Sequence, residues 1–338
     1  MPRRVGRAGS IRAVTAVPVR IRRPALTRTE VAGIVLVVLA AVWLGTGGFL
    51  AKAAFGTGMT PLPVLFWRFT AAAATGWLFA LGTARGRRSL GAIDRRETGA
   101  FLLLGTIYVG NGWAYVAALA RIPVSLVAMV VYLHPVFVAV LATLTGGGLR
   151  GSRAWVALAV AMAGLLLSVG GIPAGVDADP IGIALAILCP AIYSVWIVVA
   201  ARLTGERRDG SRRGGTTVDA GTAAALMMSA TAAAFGVVTL LSGGSIAPAD
   251  VPPDAWPYLV AFGACSGLAV QAFYAGVRRI GGPRAAIVSA IEQVYAIGVA
   301  MLLFGEPVAP IQLVGCTLVI AGIVLAETGG PRRPTEGG

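Results

Sequence analysis

Ten apolar runs, each close to twenty residues long, constrain this chain more than any other feature in it. They cover 31–51, 61–82, 98–119, 123–145, 154–172, 180–202, 220–242, 256–277, 283–304 and 309–327. Crossing ~30 Å of hydrocarbon takes about 20 helical residues at ~1.5 Å each. A backbone in lipid has to satisfy its own hydrogen bonds, and the runs lack the alternating pattern of a membrane barrel strand, so helix is the state they predict. Proline and glycine mark the breaks: Pro61, Pro63, Pro123, Gly170-Gly171, Pro252-Pro253, Gly281-Gly282-Pro283 and Pro307. Only 12% of the 338 residues are charged, against about 25% in a soluble domain. The reading is an all-α integral membrane protein with ten transmembrane helices.

The charges set an orientation. The net charge of +14 would suggest nucleic acid if it were gathered on one face, but the cations come in bursts between apolar runs, which is a topology signal. With the N-terminus inside, the cytoplasmic segments hold 25 of the 28 cations. Lys52 and Arg121 fall outside and Arg68 falls within a span. Cytoplasmic segments of membrane proteins carry such an excess, so both termini are expected in the cytoplasm of a plasma-membrane protein. The tail 1–29 reads as a basic segment touching anionic lipid. The run after it is longer than a signal-peptide core, so cleavage is not expected. A second short tail covers 328–338. The three cysteines, Cys189, Cys265 and Cys316, each sit in an apolar run and have no neighbour at metal-ligand spacing.

Shifting the chain by 158 places 114–148 on 272–306 with ten identities, among them Arg121 on Arg279, Ile122 on Ile280 and Gly147 on Gly305. Each half, 30–172 and 180–327, then owns five helices. Five is odd, so the second copy enters the membrane from the opposite side. Inverted halves can open a central site first to one compartment and then to the other, which points to transport.

The stretch VWLGTGGFLAKAAF at 42–55, the Trp67-Arg68-Phe69 corner, Tyr115 followed by ARIPVSLVAMVVYLHPVFVAVL at 120–141, and its second copy RRIGGPRAAIVSAIEQVYAIGVAMLLFGEP at 278–307 resemble the drug/metabolite transporter superfamily, EamA type. The resemblance covers about 30–327 and implies ten helices in two inverted five-helix repeats. Two positions depart from the family pattern. Gly146-Gly147-Gly148 replaces its Gly-Glu after the fourth span, and Gln293 stands where the ninth span usually has proline. The second departure takes away the expected reason for a kink in that span.

A charge at mid-membrane costs ~2.5–3.5 kcal/mol on insertion scales, so each one marks a candidate site. Glu292 falls near the middle of span nine and shares a helix face with Ser289 and Tyr295. The repeat puts His134 at the matching depth of span four. A buried carboxyl and imidazole are the two groups suited to exchanging protons near neutral pH. Arg68 either attracts a carboxylate or phosphate or reaches back to the interface. Further candidates for contact with substrate are Trp43 and Thr46 on span one, Tyr108, Asn111 and Tyr115 on span three, and Tyr193 and Trp196 on span six. Gln271 and Tyr274 on span eight and Gln293 beside Glu292 complete the set. Aromatic walls with a few amides and hydroxyls suit a small amphipathic metabolite such as an amino acid.

The expectation is a secondary transporter, an exporter working by alternating access. It would use no cofactor or metal, and its partners would be a small-molecule substrate, membrane lipids and protons. Import by the same fold is the first alternative. The second is an intramembrane enzyme with Glu292 and His134 as acid and base.

Overall fold

A computed structural model describes residues 26–149, 151–169, 179–203, 218–305 and 307–328. The first half comprises α1 (Arg28–Gly56), α2 (Pro61–Gly82), α3 (Ala84–Ala92), α4 (Arg95–Leu119), α5 (Val124–Val131), α6 (His134–Leu144) and α7 (Ser152–Ser168). The second comprises α8 (Pro180–Leu203), α9 (Ala220–Leu241), α10 (Trp256–Ile280), α11 (Gly282–Ser289), α12 (Ile291–Phe304) and α13 (Pro310–Glu327). The pairs α5–α6 and α11–α12 are each one span in two pieces, which gives ten spans among the described residues. Nine are long and apolar enough to cross a membrane, and α7, at 17 residues, is shorter. The ends of the expected spans at 170–172 lie outside the described residues. One element departs from the sequence reading. The Arg-rich segment 83–97 holds α3, a basic helix begun by Thr83, whose Oγ1 accepts the Gly86 N–H at 3.0 Å.

The helices pack in a pattern that survives exchange of the halves. Helix α1 lies on α10 as α8 lies on α4, and α2 lies on α10 as α9 lies on α4, while α2 with α9, α6 with α11, and α7 with α13 pair across the middle. Close approaches at glycine give the directions. Gly76 meets Ala225 while Gly236 meets Phe66, so α2 and α9 are antiparallel. Gly164 meets Val319 and Gly322 meets Ala161, so α7 and α13 are antiparallel. Gly33 meets Ile280 and Gly47 meets Phe262, which sets α1 against α10, and Arg121 beside Gly182 with Asn111 on Cys189 sets α4 against α8. In the same way α10 runs with α2 (Gly263 on Arg68 and Ala71, Gly267 on Thr75), and α4 runs with α9 (Gly105 on Met227 and Ala230, Gly112 on Phe235). Each span therefore runs opposite to its counterpart, and the two five-span halves are inverted relative to one another.

Both broken spans break at the same place. Helices α5 and α11 begin at Val124 and Gly282, 158 apart, and His134 and Glu292, again 158 apart, each stand just past the break. In span four the cause is Pro135, which has no N–H for the carbonyl of Val131. The His134 ring lies edge-on to Tyr193 at 5.2 Å just past this break. Span nine carries Pro283 in its first turn but no proline at the break, and it breaks there although Gln293 takes away the expected reason for a kink. The break falls at Ala290, whose N–H bonds Ile287 O at 3.2 Å in a tightened turn, and Gln293 N–H bonds Ala290 O at 3.2 Å.

Ion pairs close the ends of the bundle. Thr27 caps α1 in a reciprocal box with Glu30. Arg284 at the start of span nine bridges Glu30 Oε1 at 3.4 Å and Glu327 at the end of α13. Glu327 is 7% exposed, so removing its partner strands a buried charge. Arg284→Gln should cost on the order of 2–3 kcal/mol, less than a fully enclosed pair. Adding Glu327→Gln should restore part of that loss, which a double-mutant cycle by thermal unfolding measures. At the opposite end Arg121 Nη1 donates to Asp179 Oδ2 at 3.0 Å, and this bond holds the Asp179 carboxyl below the usual carboxylate range. That pair is exposed and contributes little.

Candidate functional site

A cavity of about 30 Å³ lies between the halves, lined by Leu44, Arg68, Phe69, Tyr108, Tyr193, Trp196, Met228, Ser266, Ala269, Val270 and Phe273. Its walls are repeat counterparts. Tyr108 and Ser266 are 158 apart, Phe69 and Met228 are 159 apart like the starts of α2 and α9, and Leu44 and Tyr193 are 149 apart like Gly33 and Gly182. The cavity thus sits on the axis that relates the halves, but its two sides differ in chemistry. Arg68 has Met227 as its counterpart, and Tyr108 has Ser266. At this volume it holds about two waters.

Arg68 is fixed from three sides. Its Nε donates to Ser266 Oγ at 2.9 Å, and that hydroxyl donates on to the Phe262 carbonyl at 2.8 Å. The guanidinium carbon lies 4.2 Å from the Phe262 ring centroid and 4.8 Å from that of Phe69, cation–π contacts that gain strength where water is scarce. Around it runs an aromatic chain. Tyr108 lies 5.3 Å from Trp196, Trp196 stacks on Tyr193 at 5.8 Å, and Trp196 lies 5.2 Å from Tyr274. Among the described residues three buried donors have no partner: Trp67 Nε1, Trp196 Nε1 and the Tyr274 hydroxyl. Two of these are neighbours at the cavity, although buried polar groups are normally satisfied.

The expected site residues divide. Tyr108, Tyr193 and Trp196 line the cavity and Tyr274 packs behind Trp196. His134 is buried with its ring edge-on to Tyr193 at 5.2 Å, next to the cavity wall. Trp43 packs against the same core. Asn111 stands outside the cavity and donates Nδ2–H to Cys189 O at 2.8 Å, which ties α4 to α8 beside Pro190. Thr46 donates to or accepts from the Tyr295 hydroxyl at 2.8 Å, linking α1 to α12. Gln271 bonds the Gly267 carbonyl of its own helix at 3.3 Å, and Tyr115 is 37% exposed. Neither reaches the cavity. Glu292 and Gln293 are half-buried just past the break in span nine. The Glu292 carboxyl and the Arg68 guanidinium lie in each other's field. They form no ion pair: among the described residues the pairs are those of Arg121 and Arg284.

The sequence reading missed Ser266 and Phe262, which hold Arg68. Ser266 could have been found by carrying Tyr108 forward by the repeat. Phe262 gave no signal beyond being apolar. No group of acidic, cysteine or histidine side chains among the described residues is arranged to hold a metal ion.

A solved crystal structure shares this fold with a TM-score of 0.71 at 21% identity, over 88% of this chain and 96% of its own. No curated protein matches. The EamA-like transporter family matches twice, over residues 31–170 and 180–328, one match to each inverted half. Two family units threaded in opposite senses around a shared axial cavity make this multi-span protein a membrane transporter of the drug/metabolite type, and the chain belongs to the EamA-like transporter family.

Proposed function

We propose that the chain is a secondary transporter of the plasma membrane that exports a small metabolite, an amino acid or an amphipathic drug-like compound, by alternating access. The observation that carries the reading is the cavity on the axis between inverted halves. A site in that position can be exposed to either compartment by rocking one half on the other. The paired breaks in spans four and nine end beside this axis and supply the points where such rocking can bend. The excess of arginine on one side supports a cytoplasmic location for both termini.

Glu292 carries the proton- or substrate-responsive role in this scheme. It is a carboxyl at mid-depth whose charge no ion pair holds. His134 stands at the matching position of span four, just past its break and edge-on to Tyr193 of the cavity wall. The test is a comparison of metabolites released by cells with and without the protein, amino acids and cationic drugs first, repeated with purified protein in vesicles. Export of a compound that depends on the protein supports the reading. Accumulation in place of release means import, and equal release of every compound with no flux in vesicles overturns transport of these classes.

A further inference from the structure

Arg68 is a cation in the membrane without a carboxylate against it among the described residues. Its Nε is bonded to Ser266 and its faces are covered by Phe69 and Phe262, so the fork of two Nη groups is what remains. No hydrogen bond from either Nη occurs among the described residues. On the same cavity wall Trp196, 4% exposed, has an Nε1–H with no partner. A guanidinium fork matches two oxygens of one carboxylate, and an unpaired buried donor is costly until something accepts from it. Arg68 and Trp196 both line one cavity, and among the described residues no carboxylate forms an ion pair with Arg68.

We infer that Arg68 and Trp196 form a seat for a carboxylate, and that the transported molecule carries one. The inference rests on the transport reading for its second half and deepens it. Seated on the Arg68 fork, a carboxylate also accepts the Trp196 N–H, and Glu292, just past the break in span nine, is the carboxyl for a cationic group of the same molecule once the cavity enlarges. A zwitterion satisfies both poles; a cationic amphiphile with no anionic group leaves Arg68 unpaired. A cavity of about 30 Å³ is too small for a whole metabolite, so binding must enlarge it.

The test uses the full chain in detergent micelles, with thermal unfolding followed in the presence of acetate, glycine, leucine, phenylalanine and glutamine, of the amides of the last four, and of inorganic phosphate. At least one carboxylate should raise the unfolding temperature while its amide does not. Arg68→Gln should weaken that protection roughly tenfold or more in concentration, as loss of a charge-assisted bond implies. Arg68→Lys, which keeps the charge but not the fork, should fall between. The wild-type comparison of acid with amide needs no variant, so misfolding of Arg68→Gln does not shelter the inference. Equal protection by acid and amide, no protection by any carboxylate, or undiminished protection of a folded Arg68→Gln each overturns it. Protection by phosphate alone also overturns it and assigns the seat to a free oxyanion. Counterflow of the same compounds in phosphatidylethanolamine–phosphatidylglycerol vesicles separates the two readings. Arg68-dependent binding without flux leaves the seat and removes transport. Flux of amides that ignores Arg68 does the reverse.

Discussion

Glu292→Gln should reduce flux driven by a proton gradient to the level of empty vesicles while leaving the protein folded and inserted. The substitution keeps shape and removes only the ability to bind and release a proton. Its cost to stability should be small, because the Glu292 carboxyl makes no ion pair among the described residues. A charge that stabilises the fold is usually held on several sides, as Arg284 holds Glu327. Glu292 instead forms no ion pair with Arg68 among the described residues. Keeping an ionisable group at mid-depth costs a few kcal/mol, and a use in the transport cycle is what offsets this. The informative comparison is between uptake driven by a pH gradient and exchange of labelled for unlabelled substrate at equal pH. Loss of the first alone makes Glu292 a proton carrier; loss of both adds contact with substrate. Undiminished gradient-driven flux in Glu292→Gln removes the carboxyl from coupling altogether.

What the chain gave away before any coordinates follows from how each signal is encoded. Span positions were legible because lipid forbids polar residues over twenty positions, and that exclusion leaves a gap in the charges no packing detail can hide. The inversion was legible because an odd number of spans forces it once a repeat is found. The break in span nine was not: its proline is replaced by Gln293, and the turn at Ala290 follows from its place opposite the break in span four, a tertiary fact. The site was half legible for a related reason. A helical stripe such as Tyr108, Asn111, Tyr115 tells which residues share a face, but a face is broad. Tyr108 meets the cavity, Asn111 meets α8 and Tyr115 is left partly exposed away from the cavity lining. Which neighbour covers each part depends on helices more than seventy residues away. Arg68 shows the converse. As a lone arginine near a span end it suggested an interfacial anchor as readily as a binding group, and only Ser266 and Phe262, some two hundred positions on, turn it inward.

Glycine substitutions should separate close helix contact from mere flexibility by the largest stability differences in the protein. At Gly164 a Cβ would come 2.5 Å from the Val319 nitrogen and 2.6 Å from the Gly315 carbonyl oxygen, both backbone atoms that no rotamer change can move. Gly322 has the same relation to Ala161 N at 2.7 Å and Ala157 O at 2.9 Å. Helices α7 and α13 therefore touch backbone to backbone along Ala157, Ala161, Gly164 and Gly315, Gly322, the small-residue contact by which membrane helices associate where burial from water offers no driving force. One methyl group at Gly164 must push the axes apart along that line. The expected cost of Gly164→Ala is about 2–3 kcal/mol, at the upper end for overpacking because backbone has to shift. Gly298 in α12 has nothing within 4 Å of its Cβ position. Gly298→Ala should be neutral or slightly stabilising, since alanine is the better helix former by up to ~1 kcal/mol. Thermal unfolding of the two variants side by side in the same micelle measures the difference. If Gly164→Ala unfolds no earlier than Gly298→Ala, α7 and α13 are not in backbone contact and their pairing across the axis has to be redrawn.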